Sequence, residues 1–335
     1  MIMVYSLYDG WLLTEITPLC KQVQLSASIS QPARKCTFSI VYPVTEDNQP
    51  RVQIGPGTLI QIIEEGTFKE LFRGQVIDRT LNSANQEETF TCVDYLRFFM
   101  QSSTSMNIKN MLSEDIAVRA CKELNLEYKS IIQTGIPINR LCPNMSYYNI
   151  IMQCYTQVSK QNGKQYVPLM NADQLEIIEK GQVISDYVLQ SLKDDSYNNN
   201  ILGMVYKDTI GNMINSVQIF DKEGNFYGHV ENTDLKNSYG TLQTTYEIED
   251  DKDTLTVANN KLYFFEQEIS IDAIGNSSCI TGYAVNAKIW YLDVLNNCTL
   301  YIYEDTHTWE CGTGKYTMHL TVSMNNKMDL QGADS

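Results

Sequence analysis

The chain has 335 residues, with 40 acidic side chains against 25 basic ones, a net charge of −15, and 43% hydrophobic residues. That apolar content sustains packed cores and excludes wholesale disorder, and the length allows two or three domains. So acidic a chain offers no broad basic face to a phosphate backbone and no polybasic patch to a membrane surface.

No apolar run reaches the roughly eighteen residues of a spanning helix, and residues 1–10 lack the basic and apolar regions of a secretory signal. The first hundred residues read as β. Val23-Gln24-Leu25-Ser26-Ala27-Ser28-Ile29 alternates apolar and polar, and Thr37-Phe38-Ser39-Ile40-Val41-Tyr42 is β-branched and aromatic up to Pro43. Turns at Gly55-Pro56-Gly57 and Glu64-Glu65-Gly66 bracket another strand over 58–63. Strands over 69–78 and 88–93 follow, separated by a polar turn over 82–87. Five or more short strands at this spacing predict a barrel or sandwich.

The period then changes. Ser113 is placed to cap a helix carrying Ile116, Ala120, Cys121 and Leu124, with Asn125 as its C-cap. Ser146 is placed to cap a second helix carrying Ile150, Ile151, Cys154 and Val158, ended by Asn162-Gly163. Two short strands, 165–170 and 174–178, complete a small α/β segment. From about 195 the pattern is β again. A hairpin turns at Lys222-Glu223-Gly224-Asn225, Asp253 caps a short helix, and strands run over 269–274, 280–291, 299–303 and 317–322. Proline is absent after Pro168, which suits long paired strands. The polar tail over 325–335 is expected to fray. The predicted fold class is mainly β, an α+β chain with two barrel-like β domains, 1–104 and 191–335, flanking an α/β insert over 105–190.

The nine cysteines include no C-x-x-C pair, and several sit in apolar company, as buried reduced thiols do. No H-E-x-x-H, G-x-S-x-G, P-loop or G-x-G-x-x-G pattern occurs. Cys298, His307, Cys311 and His319 are the best metal candidates, though at irregular spacing and partly within a strand pattern. The acidic clusters Asp194-Asp195 and Glu249-Asp250-Asp251 with Asp253 lie in polar joints, where a carboxyl group keeps its ordinary acidity and makes a poor general acid. Tyr147-Tyr148 and Tyr263-Phe264-Phe265 suit strand packing or an interface better than a sugar platform. No catalytic residue, cofactor or metal is expected.

Leu71-Phe72-Arg73-Gly74-Gln75-Val76 followed by Phe90-Thr91-Cys92-Val93-Asp94-Tyr95-Leu96-Arg97-Phe98-Phe99 resembles the first domain of baseplate hub proteins from contractile phage tails and phage-tail-like bacteriocins, in particular the PBSX-type prophage hubs. Ser216–Phe220 through Lys236-Asn237-Ser238-Tyr239-Gly240-Thr241-Leu242-Gln243, and the stretch 269–276, are similar to later elements of that family in the same order. Beyond Trp290 the chain departs from the pattern. The resemblance implies a non-enzymatic homotrimer. Two tail-tube-like domains per subunit would form a pseudo-sixfold ring joining the tail tube to a central spike, in contact with other baseplate proteins. Synthesis in the bacterial cytoplasm, with neither stable nucleic-acid binding nor membrane insertion, goes with that role. Leu71, Phe72, Gly74, Asp94, Tyr95, Tyr239 and Gly240 would then serve folding and assembly. Glu87, Glu88, Asp250 and Asp251 would be solvent-facing charges toward the bore, where carboxylates let an anionic polymer slide. The alternatives are a tail-associated cell-wall hydrolase, which requires a compact His/Cys or paired-carboxylate site, and a carbohydrate-binding protein.

Overall fold

A computed structural model describes residues 1–8, 12–42, 52–194, 196–249, 253–264 and 266–331. Pro43, Asp195, Asp250, Asp251, Phe265 and the last four residues of the tail lie outside the described residues. The chain forms two compact units, Met1–Met204 with Ser270–Ser335, and Val205–Ile269.

The first unit begins with β1 (Ile2–Tyr8), β2 (Leu12–Glu15), β3 (Cys20–Ser28), β4 (Lys35–Val41), β5 (Leu59–Glu64), β6 (Glu70–Asn82) and β7 (Glu87–Asp94). Adjacent strands pair antiparallel in the order β3-β4-β7-β6-β5-β1-β2. Alternation sets the buried face, as the period of a half-buried strand requires. Cys36, Phe38 and Ile40 of β4 face inward beside Phe90 and Cys92 of β7, and the Phe38 and Phe90 rings stack at 5.0 Å.

A separate α/β segment follows: α1 (Leu96–Gln101), β8 (Ser103–Leu112), α2 (Ser113–Leu124), β9 (Glu127–Ile131), β10 (Pro137–Ser146), α3 (Tyr147–Asn162), β11 (Tyr166–Asn171) and β12 (Gln174–Glu179). The Ser146 hydroxyl accepts from Asn149 N at 3.2 Å, and Gly163 ends α3 at φ 73°, a left-handed cap that glycine adopts without a Cβ penalty. Asn125 closes α2 the same way at φ 53°. Ser113 starts α2, but its hydroxyl makes no cap bond and is buried without a partner among the described residues. Glu114 instead accepts from Thr134 N, Thr134 Oγ1 and Gly135 N, tying the helix start to the loop after β9. The strands β8 and β10 pair antiparallel with two register shifts, and β12 pairs β11 antiparallel and β9 parallel. One core serves the segment, with Ile116, Cys121, Ile150, Cys154 and Tyr155 at its centre.

Next come β13 (Val183–Ser191) and β14 (Ile201–Thr209), whose last residues enter the second unit. That unit holds β15 (Ser216–Phe220), β16 (Phe226–Glu231), α4 (Thr233–Tyr239), β17 (Gln243–Glu247) and α5 (Thr254–Asn260). Its sheet runs β16-β15-β17 around a small core of Val217, Ile219, Tyr246 and Ala258. The Asp253 carboxylate caps α5 through Leu255 N, as its position before the apolar stripe predicts.

The chain returns through β18 (Glu266–Ile274), β19 (Ala284–Ile289), β20 (Asn296–Glu310) and β21 (Lys315–Ser323). The strand expected over 280–291 starts only at Ala284, because Gly282 sits in a turn at φ 98°. β20 pairs β19 over Asn296–Tyr301, and β3 over Glu304–Glu310. The C-terminal strands therefore continue the N-terminal sheet, in the order β14-β18-β21-β20-β3 and onward to β2, with β13 added beside β19. Among the described residues this order does not close on itself, so the sheet is open where a barrel was expected. The tail expected to fray is docked as far as Gln331, with Met328 buried in the α/β core.

Gly74 lies on the inward face of β6, between Ile60 of β5 and Asp94 of β7. A Cβ there would fall on the Val93 carbonyl oxygen, and would lie 2.6 Å from the tip of the Phe72 ring and 2.7 Å from the Val93 carbonyl carbon. The position demands glycine because backbone and an aromatic ring close over it. Gly74→Val should destabilise the fold by about 1–3 kcal/mol through overpacking, read as a lower urea midpoint at unchanged slope. An unchanged midpoint would remove the requirement.

Candidate functional site

A polar cluster is buried at the junction of the N-terminal strands, the α/β segment and the C-terminal strands, all within the first unit. Strict alternation places Glu88, Phe90, Cys92 and Asp94 on one face of β7. Asp94, only 5% exposed, accepts Arg34 N and Leu96 N at 3.0 Å each, holding the β3–β4 loop against the start of α1. The Arg34 guanidinium then reaches Asp305 Oδ1 at 2.8 Å, 271 residues along the chain. The same oxygen accepts Thr281 N at 2.6 Å, and the Thr281 hydroxyl donates to Ala27 O. Asp305 Oδ2 is buried without a hydrogen bond among the described residues, and lies 3.4 Å from His307 Nε2.

Burial holds His307 below the ordinary imidazole range, against the opposite pull of Asp305. In the neutral ring Nε2–H donates to Cys279 O at 3.0 Å, and Nδ1 accepts from Tyr316 Oη at 2.8 Å. The rings of Trp309 and Tyr316 stack at 4.4 Å beside it. Burial likewise pushes the Asp94 carboxyl up to about 7, against the opposing pull of its two N–H bonds and Arg34. A cavity of about 180 Å³ opens next to this cluster, lined by Arg34, Arg73, Asp94, Glu176, Thr281 and His307. At its rim Glu70 grips Arg73 through two bonds, and Arg73 reaches Asp173 at 2.9 Å. Arg34, Asp94, Asp305, Glu70 and Arg73 are each engaged by a neighbour of the same chain, so the arrangement clamps segments together.

The sequence-derived residues divide around this junction. Phe72, Gly74 and Asp94 belong to it or pack beneath it, and Leu71 lines the cavity. Tyr95 precedes α1 and stacks on Phe98 at 5.7 Å. Tyr239 ends α4, and Gly240 caps it at φ 79°, both in the second unit. Glu87 pairs with Lys21 at 3.7 Å and keeps partial exposure. Glu88 does not face solvent as expected. It is 1% exposed and bound by Arg79, because its parity on β7 is that of Phe90 and Cys92.

Cys298, His307, Cys311 and His319 do not converge. His307 is spent on Tyr316 and Cys279 O, whereas His319 turns to the exposed face and bonds Asp272 at 2.7 Å. No group of three or more potential ligands gathers among the described residues. All nine cysteines are free thiols, seven of them buried. The residues that sequence reasoning missed are Arg34, Thr281 and Asp305. Only the parity of Asp305 with His307 and Trp309 marked it as inward-facing.

Two outcomes follow from the clamp. Arg34→Met leaves Asp305 buried without its cation and should cost about 3–5 kcal/mol in urea unfolding. A loss as small as that of a surface substitution would show that the pair bears no strain. For Asp94, a folded value raised above the ordinary 3.8 to about 7 means that the neutral acid is favoured in the fold. Its contribution is complete below pH 3.8 and is lost as pH rises through about 7. The stability of the wild type relative to Asp94→Asn should therefore fall across that window. A difference that stays flat, or rises, with pH would contradict the assignment.

A model of the YQBQ-like family matches residues 23–323. The phage-like element PBSX protein XkdQ of Bacillus subtilis (strain 168) is 23% identical over 322 residues, covering 92% of this chain and 94% of the relative. The uncharacterized protein YqbQ of the same strain is 24% identical over 271 residues, 78% of this chain and 79% of the relative. Among solved structures, the 43 kDa tail protein of prophage MuSo2 from Shewanella oneidensis superposes with a TM-score of 0.66 at 11% identity, covering 96% of this chain and 98% of that one. The tail protein from Neisseria meningitidis MC58 gives 0.64 at 13% identity, with 96% of each chain covered. The fold is thus the mainly β fold of these tail proteins, and the resemblance to a PBSX-type element is met by a relative spanning nearly the whole chain. The chain belongs to the YQBQ-like family.

Proposed function

We propose that this chain is the structural hub subunit of a contractile-tail baseplate, a homotrimer forming a pseudo-sixfold ring between the tail tube and the central spike. The observation that carries the reading is the near-complete coverage, in both directions, between this chain and tail proteins of the same fold. Likeness to a chain of the Francisella PdpA–VgrG complex, with a TM-score of 0.59 over all of this chain and 60% of that one, is in keeping with work inside a multi-protein assembly. In this reading residues 1–104 and 191–335 supply two tube-like β domains and residues 105–190 the insert. The end strands β2 and β14 pair on one side only among the described residues. Unpaired edges of this kind find partners in assembly, and a heterologous contact closes into a ring. Leu71, Phe72, Gly74, Asp94 and Tyr95 then act by shaping the first domain, and Tyr239 and Gly240 by shaping the second unit.

The hub acts without catalysis, and its partners are copies of itself, the tail tube, the spike and neighbouring baseplate proteins. It is made in the bacterial cytoplasm and ends in the tail of a phage or a phage-like particle. In this reading the acidic lining of the bore draws on the net charge of −15, with Glu87, and Asp250 and Asp251 outside the described residues, as its candidates. Mass in solution across a concentration series, followed by imaging of the protein with tube and spike, tests the reading. A concentration-dependent trimer seated between them, with carboxylates along its axis, is expected. A monomer at every concentration that joins neither partner would overturn it.

A further inference from the structure

Charge is shared unevenly along the chain. Residues 105–180, in the α/β insert, carry eight Lys or Arg against seven Asp or Glu, whereas Val205–Ile269 carries five against twelve. On the insert a cleft of about 420 Å³ opens between β10 and α3. Arg140 and Lys160 line it together with the amides of Asn139, Gln157 and Gln161, and among the described residues no carboxylate does. Arg140 lies beside the Cys142 thiol and forms no ion pair among the described residues. Asn139 Oδ1 accepts Asn110 N at 2.9 Å, which leaves its Nδ2 as the group on offer. On α3, Gln157, Lys160 and Gln161 stand three and four positions apart and so share one face. The lining thus presents positive charge and N–H donors, the complement of a carboxylate. Its volume is that of a pocket enclosing an organic group rather than a single inorganic ion.

We propose that this cleft receives the carboxylates at the end of β17 from a second copy of the chain. Charge complementarity selects that occupant. Val205–Ile269 is about a fifth of the chain and holds nearly half of its net charge of −15. Within that unit β17 pairs only β15 among the described residues, and its Gln243, Thr245 and Glu247 are exposed. Glu247 opens the acidic stretch that runs to Asp253, and Glu249 is exposed after it. Opposite charges placed this way would orient one copy on the next and fix their register. The proposal rests on the reading that copies of the chain associate, and it adds which surfaces meet.

Carbodiimide joins an amine to a carboxylate only across a close contact, so the test cross-links a mixture of isotope-labelled and unlabelled full-length chains and reads the peptides by mass spectrometry. Mixed-label peptides joining Lys160 to Glu247 or Glu249 are expected, and high salt should deplete them. In sedimentation, Arg140→Glu/Lys160→Glu should weaken self-association at least about tenfold, and adding Glu247→Lys/Glu249→Lys should bring it back to within about threefold of the wild type. Arg140→Gln/Lys160→Gln, which keeps length and polarity, should show the loss even if the reversed variant fails to fold. Cross-links confined to peptides of one label, or a trimer unchanged by both Arg140/Lys160 variants, would overturn the docking and leave the hub reading standing. Inorganic phosphate that fills the cleft without changing self-association would make it an ion site and overturn the docking too. A wild type that stays monomeric at every concentration would overturn both readings.

Discussion

The carboxylate of Asp305 has no exposed surface, and its one cationic partner, Arg34, comes from the opposite end of the chain. A buried carboxylate without a counter-charge is expensive, so the C-terminal strands are stable only where Arg34 can reach them. Arg34 in turn is aimed by Asp94, which holds its backbone, and the Asp305 oxygen that receives its charge also binds Thr281 N. Four segments distant in sequence are thus fixed by one ion pair and the backbone bonds around it.

The continuous sheet depends on this arrangement. β20 pairs two different neighbours along its length, and the change falls at an irregularity between Ile302 and Glu304. Before it, Leu300 and Ile302 point inward; after it, Asp305, His307 and Trp309 do. A bulge inserts one residue, reverses the parity and bends the strand, so that its second half lies along β3. Tyr303, at that irregularity, donates to Asn325 O, so the distortion that joins the two ends of the chain also anchors the start of the C-terminal tail.

Charged groups at the junction bond neighbours of the same chain, Arg34 with Asp305 and Arg73 with Glu70 and Asp173. Outward, among the described residues, the sheet presents the edge strands β2 and β14. The fold is one the chain shares with the tail proteins of Shewanella oneidensis and Neisseria meningitidis.

The local structure was legible because it follows from local physics. Alternation marked the strands of the first hundred residues, and Ser146, Gly163, Asn125 and Asp253 marked helix ends by the backbone groups they satisfy or the left-handed conformation they accept. The same alternation, carried from Phe90 and Cys92 to Glu88, would have turned that carboxylate inward, and Leu300, Ile302, His307 and Trp309 carried the parity change of the bulge. β8 and β10, by contrast, contain two register shifts and polar residues on exposed faces, so no clean period announced them. Tertiary structure alone decided that β20 leaves its neighbours to pair β3, that Arg34 meets Asp305, and that a polar tail is docked by one buried methionine. Each of these joins residues more than a hundred positions apart, and a sequence read by period and cap holds no measure of distance between such residues. The amino acids fix which faces must be buried, and packing chooses what buries them.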